Sequence, residues 1–224
     1  MRRTLPILLA AVAALTGCAG SDGTGTPRLT AQPPPPATPW IITSGIPDPD
    51  ASPSASIPAS GEAPLTVGTA SGTFQPAPEG TQAITYNSAV VPPGATAQVT
   101  ITTTNQGIRV RLAVTKLVAR RAYGAHLHSM SCTSVPDDAG PHYQHRTDPS
   151  KPSVDPAYAN PRNEVWLDFT TDPRGAATVA SVQNWTLDPV RPPRSLVLHS
   201  ELTRTDPGKA GTAGPRVACL TLRG

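Results

Sequence analysis

Residues 97–114 read AQVTITTTNQGIRVRLAV. Ala97, Val99 and Ile101 alternate with Gln98 and Thr100, and Ile108, Val110, Leu112 and Val114 alternate with Arg109, Arg111 and Ala113. Successive side chains of a strand point to opposite faces, so each run has one apolar face and one wet face. Asn105-Gln106-Gly107 between them is a turn signal, and two alternating runs joined by a short Asn/Gly turn make a β-hairpin. Further strands are expected at 165–170, 176–182, 196–199 and 217–222, separated by turns that carry Pro and Gly. No window of useful length has helical periodicity. These features imply an antiparallel all-β sandwich or barrel.

The composition agrees with that class. The 224 residues include 28 Pro and 18 Gly, only 3 Trp, 4 Tyr and 2 Phe, and 15% charged residues. A helical bundle or coiled coil needs many more Glu, Lys, Leu and Ala in helical periods. A multi-pass membrane protein needs several long apolar runs, and this chain has one, at its N-terminus. Half of the prolines, 14 of 28, lie in residues 1–80, whereas all five histidines lie beyond. One folded domain, residues 81–224, is therefore expected behind a long tether. A domain of that size buries roughly 68–70% of its unfolded surface, enough for an independent core.

Residues 1–18, MRRTLPILLAAVAALTGC, read as a signal peptide. Arg2 and Arg3 precede an apolar stretch, Leu5 to Leu15, that falls short of the roughly 20 residues a bilayer requires. Leu15-Thr16-Gly17-Cys18 has the pattern of a bacterial lipobox, which implies acylation of Cys18, export, and a membrane partner reached through the lipid. Residues 19–80 are expected to be a disordered linker. Residues 19–64 hold 11 Pro, four of them in the run Pro33 to Pro36, among much Ser, Thr, Ala and Gly. Such a segment buries too little apolar surface to offset its ordering entropy, and part of it is polyproline II. Residues 65–80 read either as linker or as a first strand. With Cys18 taken by lipid, Cys132 and Cys219 remain. An even pair in an oxidising compartment reads as one disulfide, the alternative being two free thiols. The loop it would close, about 88 residues, corresponds to about 4–5 kcal/mol in the chain-entropy picture.

The histidines carry the chemistry. In Gly124-Ala125-His126-Leu127-His128 the two imidazoles are two apart, so they point the same way if the stretch is extended. His142 follows Gly140-Pro141, and His199 ends Leu196-Val197-Leu198, each beside a turn or a strand end. Imidazole suits copper, zinc, iron or nickel. Four of them without thiolate favour tetragonal copper over a structural zinc site.

In order and spacing, QGIRVRLAVTKL, GAHLH, Cys132, AGPHY, LVLHSE and GKAGTAGPRVACLTL resemble the copper–zinc superoxide dismutase family over about residues 83–224. The resemblance implies a Greek-key β-sandwich, copper on His126, His128, His142 and His199, and a Cys132–Cys219 disulfide. It implies a substrate-attracting Arg216 and a proton-carrying His142. The chain departs from the family at the zinc site: after His142 only His145 follows, too close to match a zinc ligand. Near the position of the zinc-binding Asp stands Glu164, the expected acceptor for the far N–H of His142. Zinc is therefore not expected, and the pattern resembles a copper-only branch. Two further readings fall to turns and solvent: Asp137 and Asp138 in a run of turn formers, and His145 as a solvated loop residue.

These expectations make the protein an extracytoplasmic, lipid-anchored enzyme that dismutes superoxide. Residues 81–224 carry 15 Lys and Arg against 10 Asp and Glu, a net of +5, which suits an anionic substrate. The basic residues are scattered and aromatics few, so nucleic acid is excluded as a partner. A non-catalytic envelope protein that buffers copper is the alternative; it would need the histidines but not Arg216.

Overall fold

The computed structural model describes residues 65–222. The signal peptide, Cys18 and the linker to residue 64 lie outside the described residues. Among those described there are nine strands: β1 (Thr66–Thr73), β2 (Ala83–Thr85), β3 (Thr96–Thr104), β4 (Gly107–Thr115), β5 (Ala122–His128), β6 (Phe169–Thr170), β7 (Ala177–Gln183), β8 (Ser195–His199) and β9 (Arg216–Thr221). A 3-10 turn spans Pro136–Ala139, where Asp137 and Asp138 were expected to mark a turn.

The strands form two antiparallel sheets, ordered β1-β3-β4-β7 and β2-β9-β8-β5-β6. After β5 and β6 have joined the second sheet, the chain returns so that β7 pairs with β4, a Greek-key connection. The β3–β4 hairpin has the expected register: Thr104 pairs with Gly107 across the turn and Thr96 with Thr115 at the far end. Val99, Ile101, Ile108, Val110, Leu112 and Val114 are buried, while Gln98, Arg109 and Arg111 are exposed. Those apolar side chains share one core with Leu127, Leu196, Leu198 and Leu220 of the second sheet. Each fully buried Leu or Val there stabilises by about 1.5–3 kcal/mol.

Two expectations change. The stretch left open between linker and strand is β1, so the folded body reaches back to residue 65 and does not begin at 81. Its sequence, TVGTASGT, places Ala70 alone in the core, too little apolar signal to announce a strand. The strand expected at 165–170 shrinks to Phe169–Thr170. Leu167 N–H still donates to Ala125 C=O. The Ala125 N–H, however, goes to the Asp168 carboxylate at 3.3 Å rather than to a ladder carbonyl, so regular pairing stops.

Strands β5 and β8 are buried on both faces. Tyr123, Ala125 and Leu127 enter the core; His126 and His128 point the other way, under the segments that precede β6 and β9. Gly124 lets the second of these lie flat on the sheet: a Cβ there would come within 2.6 Å of Glu201 O and 2.7 Å of the Ala213 Cβ. Across β8–β9, Val197 pairs with Cys219 and Leu198 with Ala218, but His199 pairs with Arg216. Val217 is the extra residue of this bulge, and it is buried in the core. Cys132 and Cys219 are disulfide-bonded, tying the segment after β5 to β9. Such a bond fits an oxidising compartment.

Candidate metal centre

Four imidazoles converge on the outer face of the second sheet. His126 and His128 come from β5 and His199 from the end of β8. His142 comes from the segment that crosses β5, where it bridges to His128 and where Tyr143 N–H donates to Leu127 C=O. One nitrogen from each ring lies within 4.8 Å of the corresponding atom of every other. The strand period does for His126 and His128 what the sequence required of it, and the crossing segment brings in a residue 14 positions away.

The hydrogen bonds decide which nitrogens are bare. His128 Nδ1–H donates to Gly140 C=O at 2.9 Å, and His199 Nδ1–H donates to Gly214 C=O at 3.2 Å. A carbonyl only accepts, so each of these neutral rings presents an unprotonated Nε2. Those two Nε2 atoms face each other at 3.4 Å, acceptor against acceptor. His142 Nδ1 lies 2.8 Å from Glu164 Oε2. His126 differs: its Nε2 is 2.7 Å from Thr203 Oγ1, and its buried Nδ1 has no partner in the protein. An orphaned buried nitrogen and two lone pairs aimed at each other are unfavourable by themselves, and a metal cation shared among them satisfies both. The residues present therefore fit a metal ion bound by imidazole.

Electrostatics hold three of the rings neutral, as metal ligation requires. Burial pushes the His126 and His128 imidazoles well below the usual histidine range, and the neighbouring rings and Arg216 add to this. His199 is pushed down to about 3, again chiefly by burial. Glu164 is nearly fully buried and accepts from three side chains: His142 at Oε2, Trp166 Nε1–H at Oε2 (2.6 Å) and Gln144 Nε2–H at Oε1 (2.8 Å). Gln144 is itself fixed, its Oε1 accepting from Asp148 N–H.

Arg216 stands at the edge of the cluster. Its Nη1–H donates to Pro136 C=O at 2.9 Å and its Nη2–H to Gly140 C=O at 2.7 Å. Gly140, at a positive φ of 73°, thus turns one carbonyl toward both His128 and the guanidinium. Burial lowers the Arg216 pKa somewhat, while Asp137 opposes this. A cleft of about 870 Å³ opens onto His142, His199 and Arg216, with Lys151, Arg191 and Arg194 also on its wall. An apolar pocket of about 360 Å³, between β1 and residues 186–193, touches none of these side chains. His145 is outside the cluster of four; its ring stacks on Trp185 with centroids 5.0 Å apart.

The sequence reading missed Gln144, Trp166, Asp168 and Thr203. A signal for two of them lay in EVWLDF, residues 164–169. Val165, Leu167 and Phe169 are buried in the core, so Glu164, Trp166 and Asp168 must share the opposite side. Thr203 lies four residues beyond His199 in an irregular segment, where no periodicity marks it.

No family model matches this sequence, and no curated protein matches it. Among solved structures the chain is similar to the Cu/Zn superoxide dismutase from Brucella abortus, at 19% identity and a TM-score of 0.45, over 70% of this chain and 99% of that one. It is also similar to two variants of a SOD-like protein from Bacillus subtilis. The single mutant is 15% identical with a TM-score of 0.45, over 57% of this chain and 90% of that one. The double mutant is 16% identical with a TM-score of 0.44, over 57% and 89%.

Proposed function

We propose that the four histidines hold one copper ion and that the protein dismutes superoxide outside the cytoplasm, anchored to a membrane through Cys18. The observation that carries this reading is the pairing of an all-imidazole cluster with a guanidinium at the mouth of an open cleft. Bound copper would supply a one-electron couple, accepting an electron from one superoxide and giving it to the next, so that two superoxide ions and two protons yield dioxygen and hydrogen peroxide. His126, His128 and His199 are the enclosed ligands. His142 is the most exposed ring of the four, and it lines the cleft. Its Nε2, when not engaged by the metal, would carry a proton to the product, while Glu164 keeps its Nδ1 engaged. That contact, made where a zinc-containing relative would place its second metal, supports copper without zinc. Arg216, held by carbonyls of residues 136–140, presents its remaining donor surface to an anion in the cleft.

Copper buffering without turnover would need the imidazoles but gains nothing from Arg216. The deciding experiment measures bound metal and superoxide decay on the same preparation, with Arg216→Ala beside the parent. The expected result is one copper and no stoichiometric zinc per chain, and a superoxide decay rate that falls as salt rises. Arg216→Ala should keep its copper but lose about 10-fold in rate and most of the salt dependence. Full copper loading without decay would leave the buffering alternative, and stoichiometric zinc beside copper would end the copper-only reading.

A further inference from the structure

His126 is the exception among the four rings. His128, His142 and His199 each engage Nδ1 with a carbonyl or carboxylate oxygen and leave Nε2 to the centre. His126 engages Nε2 and leaves Nδ1. A neutral imidazole carries one hydrogen, so something must place it on Nε2. The contact there is a hydroxyl, which can donate or accept and so chooses no tautomer by itself.

The next bond removes that freedom. Thr203 Oγ1–H donates to Asp168 Oδ1 at 2.7 Å, and Thr203 N–H donates to Asp168 Oδ2 at 2.6 Å. The hydroxyl's single proton is committed to the carboxylate, so its oxygen faces His126 as an acceptor at 2.7 Å. Asp168 is held in turn, because its Oδ1 also accepts from the N–H of Ala125, the residue before His126. The direct His126–Asp168 separation, 3.7 Å, is too long for a hydrogen bond, so the threonine is the link.

We propose that Thr203 and Asp168 are positioning residues that hold His126 in its Nε2–H tautomer and so supply the metal centre with its fourth bare nitrogen. The assignment rests on the metal-site reading above, but its central claim concerns the metal-free ring. It also gives the segment 200–215 a second hold on the cluster, the Thr203 hydroxyl at His126 beside the Gly214 carbonyl at His199.

Long-range proton–nitrogen correlation NMR on the metal-free full-length protein at neutral pH reads the tautomer directly. His126 is expected as Nε2–H in the parent and in Thr203→Ser. In Thr203→Val the Nε2–H loses its acceptor inside a closed site. The ring should then populate the Nδ1–H form, and Cu(II) affinity should drop about 10- to 100-fold with a changed electron paramagnetic resonance spectrum. Thr203→Ser should restore both. A parent ring found as Nδ1–H overturns the proposal whether or not the valine variant folds. So does a folded Thr203→Val protein that keeps the parent tautomer and copper affinity. If the parent is Nε2–H but takes up no copper, the tautomer assignment stands and the proposed function fails.

Discussion

Strands β3 and β4 bury one face and wet the other, whereas β5 and β8 bury both. In the hairpin, water satisfies whatever points outward, so Thr and Arg on that face need no fixed partner. In β5 and β8 the outward face is roofed by loops, and polar groups on it must be paired within the protein or by a bound ion. The second sheet therefore depends on a named partner for each ring: Gly140, Gly214, Glu164 and Thr203. Covering a sheet with polar loops creates a dry place where imidazoles stay neutral and donors stay aimed. A sheet with one open face offers no such place.

Substitutions in the two sheets should separate function from stability. His128→Ala removes a ligand outright and should weaken copper binding by more than about 100-fold, beyond what the loss of an outer hydrogen bond does, and abolish superoxide decay. Copper titration of the variant checks this, and retained activity would break the distinction. Acid is the next largest lever, and it acts on one sheet only, since β1, β3, β4 and β7 contain no histidine. His126, His128 and His199 have folded pKa values below the ordinary 6.5, that of His199 near 3. As pH falls below 6.5 the unfolded chain takes up protons that the folded one refuses. The metal-free protein should therefore lose about 1.4 kcal/mol per pH unit for each such ring, for His199 until pH approaches 3. Urea unfolding at pH 7, 6 and 5 measures the slope, and a flat profile would mean that the rings are not dry.

Leu112→Ala, in the hairpin, should cost about 2–5 kcal/mol of stability while the folded variant keeps its full copper content. Denaturant midpoints and metal analysis on the same sample test both halves. The smallest effect is expected at His145→Ala. It should change stability by about 0.5 kcal/mol or less and leave the decay rate untouched, because the ring stacks on Trp185 outside the cluster. A large loss of rate there would redraw the ligand set.

The same contrast explains what could be read from residues alone. A half-wet sheet writes its orientation into alternation, so β3, β4 and their register were legible in AQVTITTTNQGIRVRLAV. β7, β8 and β9 were placed within one residue at each end. β1 was not, since Gly, Ser and Thr on an edge carry little apolar signal. The four clustered histidines were legible because histidine is scarce and its spacing conspicuous. Their partners were not, because Gly140 and Gly214 act through carbonyls, which every residue has. Thr203 and Asp168 are ordinary loop residues until the chain folds them together. Glu164 was anticipated from the resemblance, and Trp166 shares its side of EVWLDF, while Gln144 emerges only from three-dimensional packing.

The bulge at Val217 makes the site sensitive to parity. Cys219 and Arg216 are three residues apart, an odd number, and in an unbroken strand they would point to opposite sides. With Val217 turned into the core, both stand on the outer side, the cysteine toward its disulfide and the arginine toward Gly140. Length is thus negotiable in some places and fixed in others. Residues can be gained or lost around Asp206 to Lys209, where the chain is exposed, without altering which way Arg216 faces. Adding one residue between 216 and 219, with the bulge otherwise unchanged, would turn the guanidinium into an apolar interior and leave the proposed anion site without its charge. The sheet would remain a sheet, and the proposed activity would be lost by a count of one.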